Sequence, residues 1–307
     1  MTTRTKLKPR RAPAALAILL TGIAACAGCQ SGVTGTPTAL TVNSPSSGDD
    51  GSGSAAAASP SASASVSPSA SPSKSASPSP AKAVVTNALA GKVVVLDPGH
   101  DGGNETHTAQ IAELVPQGFG QEKACDTTGT NGDDGYTEHQ FTFQTSLLVK
   151  SLLQARGITV ILTRNNDTGV GPCVNVRAAI GNNAHAAAAV SIHADGGPTS
   201  GHGYQLLEAN TSVGGTTIDA KSHQLAVDLH SMFNQESGLT ASNYVGTNGY
   251  EPRDDIAGLN LSTVPKIMVE CGNMRNASDL ALEESAAGRE RIAKAIADGI
   301  IAYLTSK

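Results

Sequence analysis

Short apolar runs recur along the last two thirds of the chain, and longer segments with apolar residues at helical spacing lie between them. The runs are bounded by polar or glycine-containing turns, which is typical of buried strands. They cover Lys92–Leu96, Ile158–Leu162, Ala187–Ile192, Gly203–Leu207 and Lys266–Val269. The pattern predicts a strand at each of these positions.

The longer segments predict helices, because their apolar residues repeat at a spacing that places them on one helical face. In Thr137–Arg156 that face is expected to carry Phe141, Leu148 and Leu152. Further helices are predicted over Val174–Ala184, Ile218–Gln235 and about Ser285–Leu304. Strands that alternate with helices predict an α/β domain of three layers, in which helices flank a central, mostly parallel and twisted sheet.

The first part of the chain has a different composition, which divides the protein into three regions. A basic segment followed by the apolar run Ala14–Ala25 has the physical form of an export signal. Every odd position from Ser59 to Ser79 is serine, so this stretch has almost no apolar surface to offset the entropy of ordering it. We therefore predict a signal over residues 1–29, a disordered Ser/Pro/Ala-rich linker over residues 30–86, and one folded domain over residues 87–307.

The end of the signal offers candidate lipidation sites. Ile23-Ala-Ala-Cys26 resembles a bacterial lipobox, which predicts a lipid anchor on Cys26, and Ala27-Gly-Cys29 is a second candidate. An ordinary cleaved signal and an uncleaved anchor helix stay open as alternatives. Each of these readings places the folded domain outside the cytoplasm.

The charge of the chain argues against binding to nucleic acid. The sequence has 21 Lys and Arg against 26 Asp and Glu, a net charge of −5. Five of the basic residues lie before residue 12, and without them 16 basic residues face 26 acidic ones, a net charge of −10. Phosphate backbones repel such an acidic domain. A polytopic membrane protein is also excluded, because the only long apolar run is N-terminal.

The three cysteines of the domain suggest two different roles. Cys125 and Cys173 lie in polar loops, and outside the cytoplasm two such cysteines more often pair than remain reactive, so a disulfide is expected between them. Cys271 lies in an apolar run and is expected to be a small buried hydrophobic residue rather than a nucleophile. No cysteine spacing in the domain indicates a thiolate zinc site.

Polar residues follow three of the predicted strands, at the sheet edge where active sites collect in parallel sheets. The first strand leads to His100, the third to His193 and the last to Glu270, while Glu138 opens a helix. Two imidazoles and a carboxylate form the ligand set of a hydrolytic Zn²⁺ site, and a second carboxylate can take a proton from water. Simpler roles remain open from spacing alone, such as a first-turn acid favoured by the helix dipole for Glu138.

The motifs at these positions resemble those of the zinc-dependent N-acetylmuramoyl-L-alanine amidases, and most of all the actinobacterial members. They occur in the family's order and are Val94-Val-Leu-Asp-Pro-Gly-His100, Glu138 at a helix start, Ser191-Ile-His-Ala-Asp195 and Val269-Glu-Cys-Gly-Asn273. The resemblance runs from about Lys92 to Leu304. It implies that His100, Glu138 and His193 bind zinc, and that Glu270 is the catalytic carboxylate. The implied reaction is hydrolysis of the amide between N-acetylmuramic acid and L-alanine in peptidoglycan.

The resemblance also sets expectations for partners and location. We expect a monomer that acts on peptidoglycan or muropeptides as a cell-surface lipoprotein, held to the membrane by its lipid anchor, or as a protein secreted to the cell wall. Two alternative functions stay open. One is a zinc amidohydrolase or peptidase that cuts within wall peptides, and the other is a non-catalytic lipoprotein that binds the cell wall.

Several further residues carry weaker predictions. Asp97 could orient a ligand imidazole or stabilise its own turn. His139 could compete with Glu138 as a ligand, although its side chain points about 100° away around the helix. Arg164 and Arg177 are expected to form structural ion pairs, with substrate contact as the alternative. Residues 101–135 lack periodicity and are expected to form a long surface excursion that borders the cleft.

Overall fold

A six-stranded sheet organises residues 88–306, the part of the chain that this computed structural model describes. The strands of the structure are β1 Val93–Pro98, β2 Leu114–Gly118, β3 Gln121–Ala124, β4 Thr159–Leu162, β5 Ala188–Asp195, β6 Gln205–Ala209, β7 Tyr250–Arg253 and β8 Lys266–Asn273. The predicted signal, the linker and both lipidation candidates, Cys26 and Cys29, lie outside the described residues.

The helices flank this sheet. They are α1 Thr108–Ile111, α2 Glu138–Gln154, α3 Val174–Asn183, α4 Thr216–Met232, α5 Ala257–Asn260, α6 Ala277–Glu284 and α7 Ala286–Thr305. Within residues 88–306, no helix combines the length and the apolar character that a membrane span requires.

The sheet order is β4-β1-β5-β8-β6-β7, and β6 runs antiparallel to β8 while the other neighbours are parallel. This confirms the predicted mostly parallel sheet in an α/β domain of three layers. The structure adds β7 and α6, which the sequence pattern did not predict.

The two faces of the sheet differ in character because successive strand residues point to opposite sides. One face carries Val94, Val190 and Ile267, which pack against α2, α4 and α7 in the main core. The other face carries a small apolar cluster that includes Val95 and Ala189 and packs near α3. Toward the carboxyl ends of the strands, this second face becomes polar and forms the candidate site.

The buried face of helix α2 agrees with the predicted one at Phe141 and Leu148 but not at Leu152. Phe141 is buried as expected, but the apolar stripe continues through Val149 and Leu153, while Leu152 is 41% exposed. The spacing was ambiguous because the helix contains two pairs of consecutive leucines, at 147–148 and 152–153. The observed stripe advances by four residues at each step, which is close to the 3.6 residues of a helical turn. Thr145 completes the stripe with a small side chain.

The excursion over residues 101–135 has more regular structure than its sequence suggests. It contains α1 and the hairpin of β2 with β3, whose strands are short and include Pro116, a residue that weakens a strand pattern. A disulfide joins Cys125, just after this hairpin, to Cys173 at the start of α3, which confirms the predicted pairing. Cys271 is a buried free cysteine, also as predicted.

Candidate metal centre

The carboxyl ends of three adjacent strands, β1, β5 and β8, converge on a cavity of about 340 Å³. His100 follows β1, and His193 and Glu270 occupy directly opposite positions of β5 and β8. Glu138, the first residue of α2, completes the group that lines this cavity. The structure therefore brings together all four residues that the sequence motifs singled out.

Three of these residues could hold a metal ion. One donor atom from each of His100, Glu138 and His193 lies within 4.8 Å of the others. Glu138 Oε1 is 2.9 Å from His193 Nδ1 and 3.2 Å from His100 Nε2. Tetrahedral zinc with bonds of about 2.0–2.2 Å places neighbouring donors about 3.4 Å apart, so the observed donor set and spacing fit a zinc ion.

The carboxylate of Glu138 is fixed by backbone donors. Its Oε2 accepts a hydrogen bond from the amide of Thr130 at 2.9 Å, and its Oε1 accepts one from the amide of Ala194 at 3.3 Å. Burial alone would raise the pKa of Glu138, but the imidazoles of His100 and His193 outweigh it and hold that pKa well below its usual value. An ionised carboxylate is the form in which a glutamate binds a metal ion.

Two glycines leave room for the imidazoles. A side-chain carbon at Gly99 would lie 2.3 Å from the ring of His193, so only glycine fits there. Gly129 has a φ of +80°, and a side-chain carbon there would lie 2.9 Å from both His100 and Glu138. His100 itself has a φ of 58°, a strained conformation for a non-glycine residue, and such strain is concentrated at functional sites.

Glu270 stands beside this cluster as a carboxyl group with an unsatisfied atom. Its Oε2 is buried and has no hydrogen-bond partner among the described residues. Burial raises the pKa of Glu270 well above its usual value, and the negative charges of Glu138 and Asp195 raise it further. A buried polar atom of this kind requires an explanation, and a ligand or a water molecule in the cavity provides one.

Asp97 does not contact a ligand imidazole, which was one of its two predicted roles. Its carboxylate accepts hydrogen bonds from Thr163, Ser191, Arg177 and Lys266, at 2.7 to 3.1 Å. Within the described residues, none of its hydrogen bonds reaches a histidine. Asp97 instead anchors two buried cations below the site.

The predicted structural role of the arginines agrees with their contacts. Arg177 forms ion pairs with Asp97 and Asp126, and Arg164 forms one with Asp167. The Nδ1 atom of His139 lies 2.8 Å from Asp167, so its ring is turned away from Glu138 and the candidate ligands.

Asp126 lies near the site and was missed by sequence reasoning. Its Oδ1 lies 3.1 Å from Nδ1 of His100, on the side of the ring opposite Glu138. The only sequence signal was its position directly after Cys125, which the predicted disulfide holds in place. Residues 123–130 of the excursion include several that line one wall of the cavity, as expected from its place in the chain.

Asp195, which lines the cavity, belongs to a predicted motif, but the sequence analysis gave it no role. Asp195 accepts hydrogen bonds from the hydroxyl of Tyr244 at 2.7 Å and from the amide of Gln205 at 3.0 Å. Gln205 is directly opposite Glu270 in the antiparallel pairing of β6 with β8. This group fixes a second carboxylate close to Glu270.

Comparisons with known proteins match the same part of the chain. The family model described as N-acetylmuramoyl-L-alanine amidase matches residues 94–302. An N-acetylmuramoyl-L-alanine amidase of Mycobacterium tuberculosis is 42% identical over 220 residues, which cover 71% of this chain and 89% of that protein. The crystal structure of the amidase Ami1 from Mycobacterium smegmatis has 44% identity and a TM-score of 0.68, and the match covers 71% of this chain and 99% of that one. The apo form of Ami1 from Mycobacterium abscessus has 43% identity and a TM-score of 0.67, covering 71% and 100%.

Proposed function

The chain belongs to the N-acetylmuramoyl-L-alanine amidase family, and on that premise we propose that it hydrolyses the amide between the lactyl group of N-acetylmuramic acid and L-alanine in peptidoglycan. The observation that carries the proposal is the placement of Glu270 beside the donor cluster of His100, Glu138 and His193 in one cavity. These residues form the constellation that metal-assisted hydrolysis of an amide requires.

The three donor residues would hold one zinc ion. When bound in such a site, zinc lowers the pKa of a water molecule and polarises the carbonyl of the scissile amide. Glu138 would contribute the negative charge, and His100 and His193 would contribute neutral nitrogen donors. The spacing of the donor atoms supports this assignment.

Glu270 would serve as the proton acceptor and donor of the reaction. Its carboxylate takes a proton from the attacking water and then delivers that proton to the nitrogen of L-alanine as the C–N bond breaks. The products are a carboxylate on the lactyl group and a free amine on the peptide. The position of Glu270 supports this role, because its buried Oε2 has no partner among the described residues and the side chain lines the cavity beside the donor cluster.

Digestion of purified muropeptides, followed by mass spectrometry, tests the proposed reaction. We expect release of the intact stem peptide beginning at L-alanine, together with the unsubstituted sugar. Products cut within the peptide would support the alternative peptidase. Zinc-loaded protein that retains muropeptides without cleaving them would support the alternative wall-binding lipoprotein.

We also propose that the protein acts outside the cytoplasm, held to the membrane by a lipid on Cys26. The signal pattern supports this location, and so does the disulfide of Cys125 with Cys173, since disulfides persist in oxidising compartments. Detergent-phase partitioning in the native host tests the anchor, with Cys29→Ala as the matched control for Cys26→Ala. Only the Cys26 variant should move to the aqueous phase, and the reverse result would transfer the anchor to Cys29. The monomeric state stays a prediction, which light scattering of the intact chain tests.

A further inference from the structure

His100 is held on the side of its ring that faces away from the donor cluster. Its Nδ1 lies 3.1 Å from Asp126 Oδ1 and 3.0 Å from the carbonyl oxygen of Thr127, and both of these atoms are acceptors. The other ring nitrogen, Nε2, lies 3.2 Å from Glu138 Oε1. Because Nδ1 must donate its hydrogen to these acceptors, the free lone pair of the neutral ring is on Nε2, where the proposed metal site lies.

The carboxylate that receives this hydrogen is fixed through both of its oxygens. Asp126 Oδ1 also accepts a hydrogen bond from the amide of Thr127 at 2.8 Å, and Oδ2 accepts one from Arg177 at 3.3 Å. The same guanidinium donates to the carbonyl of His100 at 3.0 Å. Arg177 therefore holds the strained backbone of His100 and the carboxylate that contacts its ring in one arrangement.

The disulfide joins the two segments that supply these groups. Cys125 directly precedes Asp126, and Cys173 is the N-cap residue of α3, one turn before Arg177. Beside the disulfide, the amide of Val174 donates a hydrogen bond to the carbonyl of Cys125 at 2.9 Å. The covalent link thus lies next to both partners of the ion pair between Asp126 and Arg177.

We propose that Asp126 is a positioning residue for His100, and that the disulfide of Cys125 with Cys173 maintains Asp126 in that position. The inference rests on the proposed function, because it takes His100 as a zinc ligand. A carboxylate partner fixes the tautomer of a ligand imidazole and raises its basicity, and loss of such partners typically weakens metal binding about 10–100-fold. The disulfide is then a determinant of metal affinity in addition to its effect on the unfolded chain.

The first test measures the zinc affinity of the full-length protein by competition with a chromophoric chelator. Asp126→Asn should weaken zinc binding by about 10–100-fold, because it removes the charge but keeps the shape of the side chain. Asp167→Asn is the matched control, since Asp167 forms the same kind of pair with His139, next to Glu138. The control should bind zinc like the wild type. Equal affinity of Asp126→Asn and the wild type would overturn the proposal, whereas a wild type that does not bind zinc would overturn the proposed function.

A spectroscopic readout separates positioning from a loss of structure. In ¹⁵N-histidine spectra of the zinc-loaded protein, the Nδ1 proton of His100 should resonate downfield in the wild type and in Asp167→Asn. It should move upfield in Asp126→Asn, where the hydrogen bond to a charged acceptor is lost. An unchanged Nδ1 proton in Asp126→Asn would show that the carboxylate does not act on the ring.

A thermodynamic cycle tests the disulfide. The double variant Cys125→Ser/Cys173→Ser should bind zinc more weakly, and adding Asp126→Asn to it should weaken binding less than in the wild type, because Asp126 is already displaced. The role of the disulfide would be overturned if the double variant bound zinc as tightly as the wild type. It would also be overturned if Asp126→Asn weakened zinc binding by the same factor with and without the disulfide. If the double variant does not fold, the same cycle is run on wild-type protein and Asp126→Asn after reduction of the disulfide, and equal zinc affinity of the reduced and oxidised wild type would overturn the role of the disulfide.

Discussion

Glu270 lies directly opposite His193 in the parallel pairing of β8 with β5, so the two side chains project from neighbouring strands onto the same face of the sheet. Both strands are central in the sheet, and their backbones are fixed by ladders on both sides. The proposed proton acceptor and a candidate metal ligand are thereby held at a constant separation by rigid elements, as catalysis requires.

Glu270→Gln should remove activity while leaving the zinc site intact. The amide cannot accept a proton from water, and loss of a general base typically costs about 10²–10⁴-fold in rate. Hydrolysis of muropeptides and the zinc content should be measured on the same sample. Glu208→Gln, on the neighbouring β6 and outside the cavity lining, is a matched control that should keep wild-type activity. An active Glu270→Gln enzyme would show that another group takes the proton.

Substitution of Glu138 and of its neighbour His139 in α2 should have opposite effects on zinc retention. Glu138→Gln removes the anionic donor of the cluster and should release zinc, whereas His139→Gln should retain it, because the ring of His139 is bound to Asp167. Zinc content after dialysis distinguishes the two variants. A chelator should abolish the activity of the wild type, and added zinc should restore it. Retention of zinc by Glu138→Gln would remove Glu138 from the ligand set.

Asp97 should make the folded protein sensitive to acid. Although burial opposes it, the charges of Lys266 and Arg177 hold the pKa of Asp97 well below its usual value. The stabilisation is therefore present above the unfolded pKa of about 3.9 and is lost as the pH falls below it. Asp97→Asn should lower the free energy of unfolding at pH 7 by about 3–5 kcal/mol, since two buried cations lose their partner.

Urea denaturation between pH 7 and pH 3 measures the difference in the free energy of unfolding between the wild type and Asp97→Asn. The gap between the wild type and Asp97→Asn should narrow toward the acidic end, because below about pH 3.9 the unfolded wild type binds a proton on Asp97 that the folded protein, with its lowered pKa, does not bind. A gap that stays constant over this range would mean that the charge of Asp97 does not stabilise the fold.

Glu283 should make the folded protein less stable as the pH rises. It is fully buried, and neither carboxylate oxygen has a hydrogen-bond partner among the described residues. Burial, followed by the charge of Asp279, raises the pKa of Glu283 well above its usual value, so the folded state loses stability as the pH rises through the unfolded pKa of about 4.3. Glu283→Gln should therefore be more stable than the wild type at pH 7, by about 1–3 kcal/mol.

Thermal or urea unfolding at pH 7 and pH 4 checks the expectation for Glu283. The advantage of Glu283→Gln should diminish at pH 4, where the carboxyl group is neutral in the folded wild type and mostly neutral in the unfolded chain. A variant that is less stable than the wild type at both pH values would contradict it.

The sequence predicted those features that depend on local pattern. The strands that carry His193 and Glu270 are continuous apolar runs, and their polar ends are visible in the chain. Helix α2 was located correctly, but its buried face was predicted only in part, because consecutive leucines offer two stripes and only tertiary packing selects one. The hairpin of β2 with β3 was missed because both strands are short, β2 contains Pro116 and β3 is mostly polar.

The supporting contacts of the site depend on tertiary structure and could not be predicted. Asp126 reaches His100 across 26 positions in the sequence, and Arg177 reaches Asp97 across 80. No periodicity marks such pairs. One prediction for Asp97 was contact with a ligand imidazole, because it lies close to His100 in the sequence. It pairs instead with Arg177 and Lys266, which are distant in the sequence.

Digestion of muropeptides in H₂¹⁸O tests the central claim most directly, because the label marks the carbonyl that water attacks. The proposed reaction predicts one ¹⁸O in the lactyl carboxylate of N-acetylmuramic acid and none in the stem peptide released with a free L-alanine amine. Label in a peptide carboxylate, with the bond between the sugar and L-alanine intact, would contradict the account.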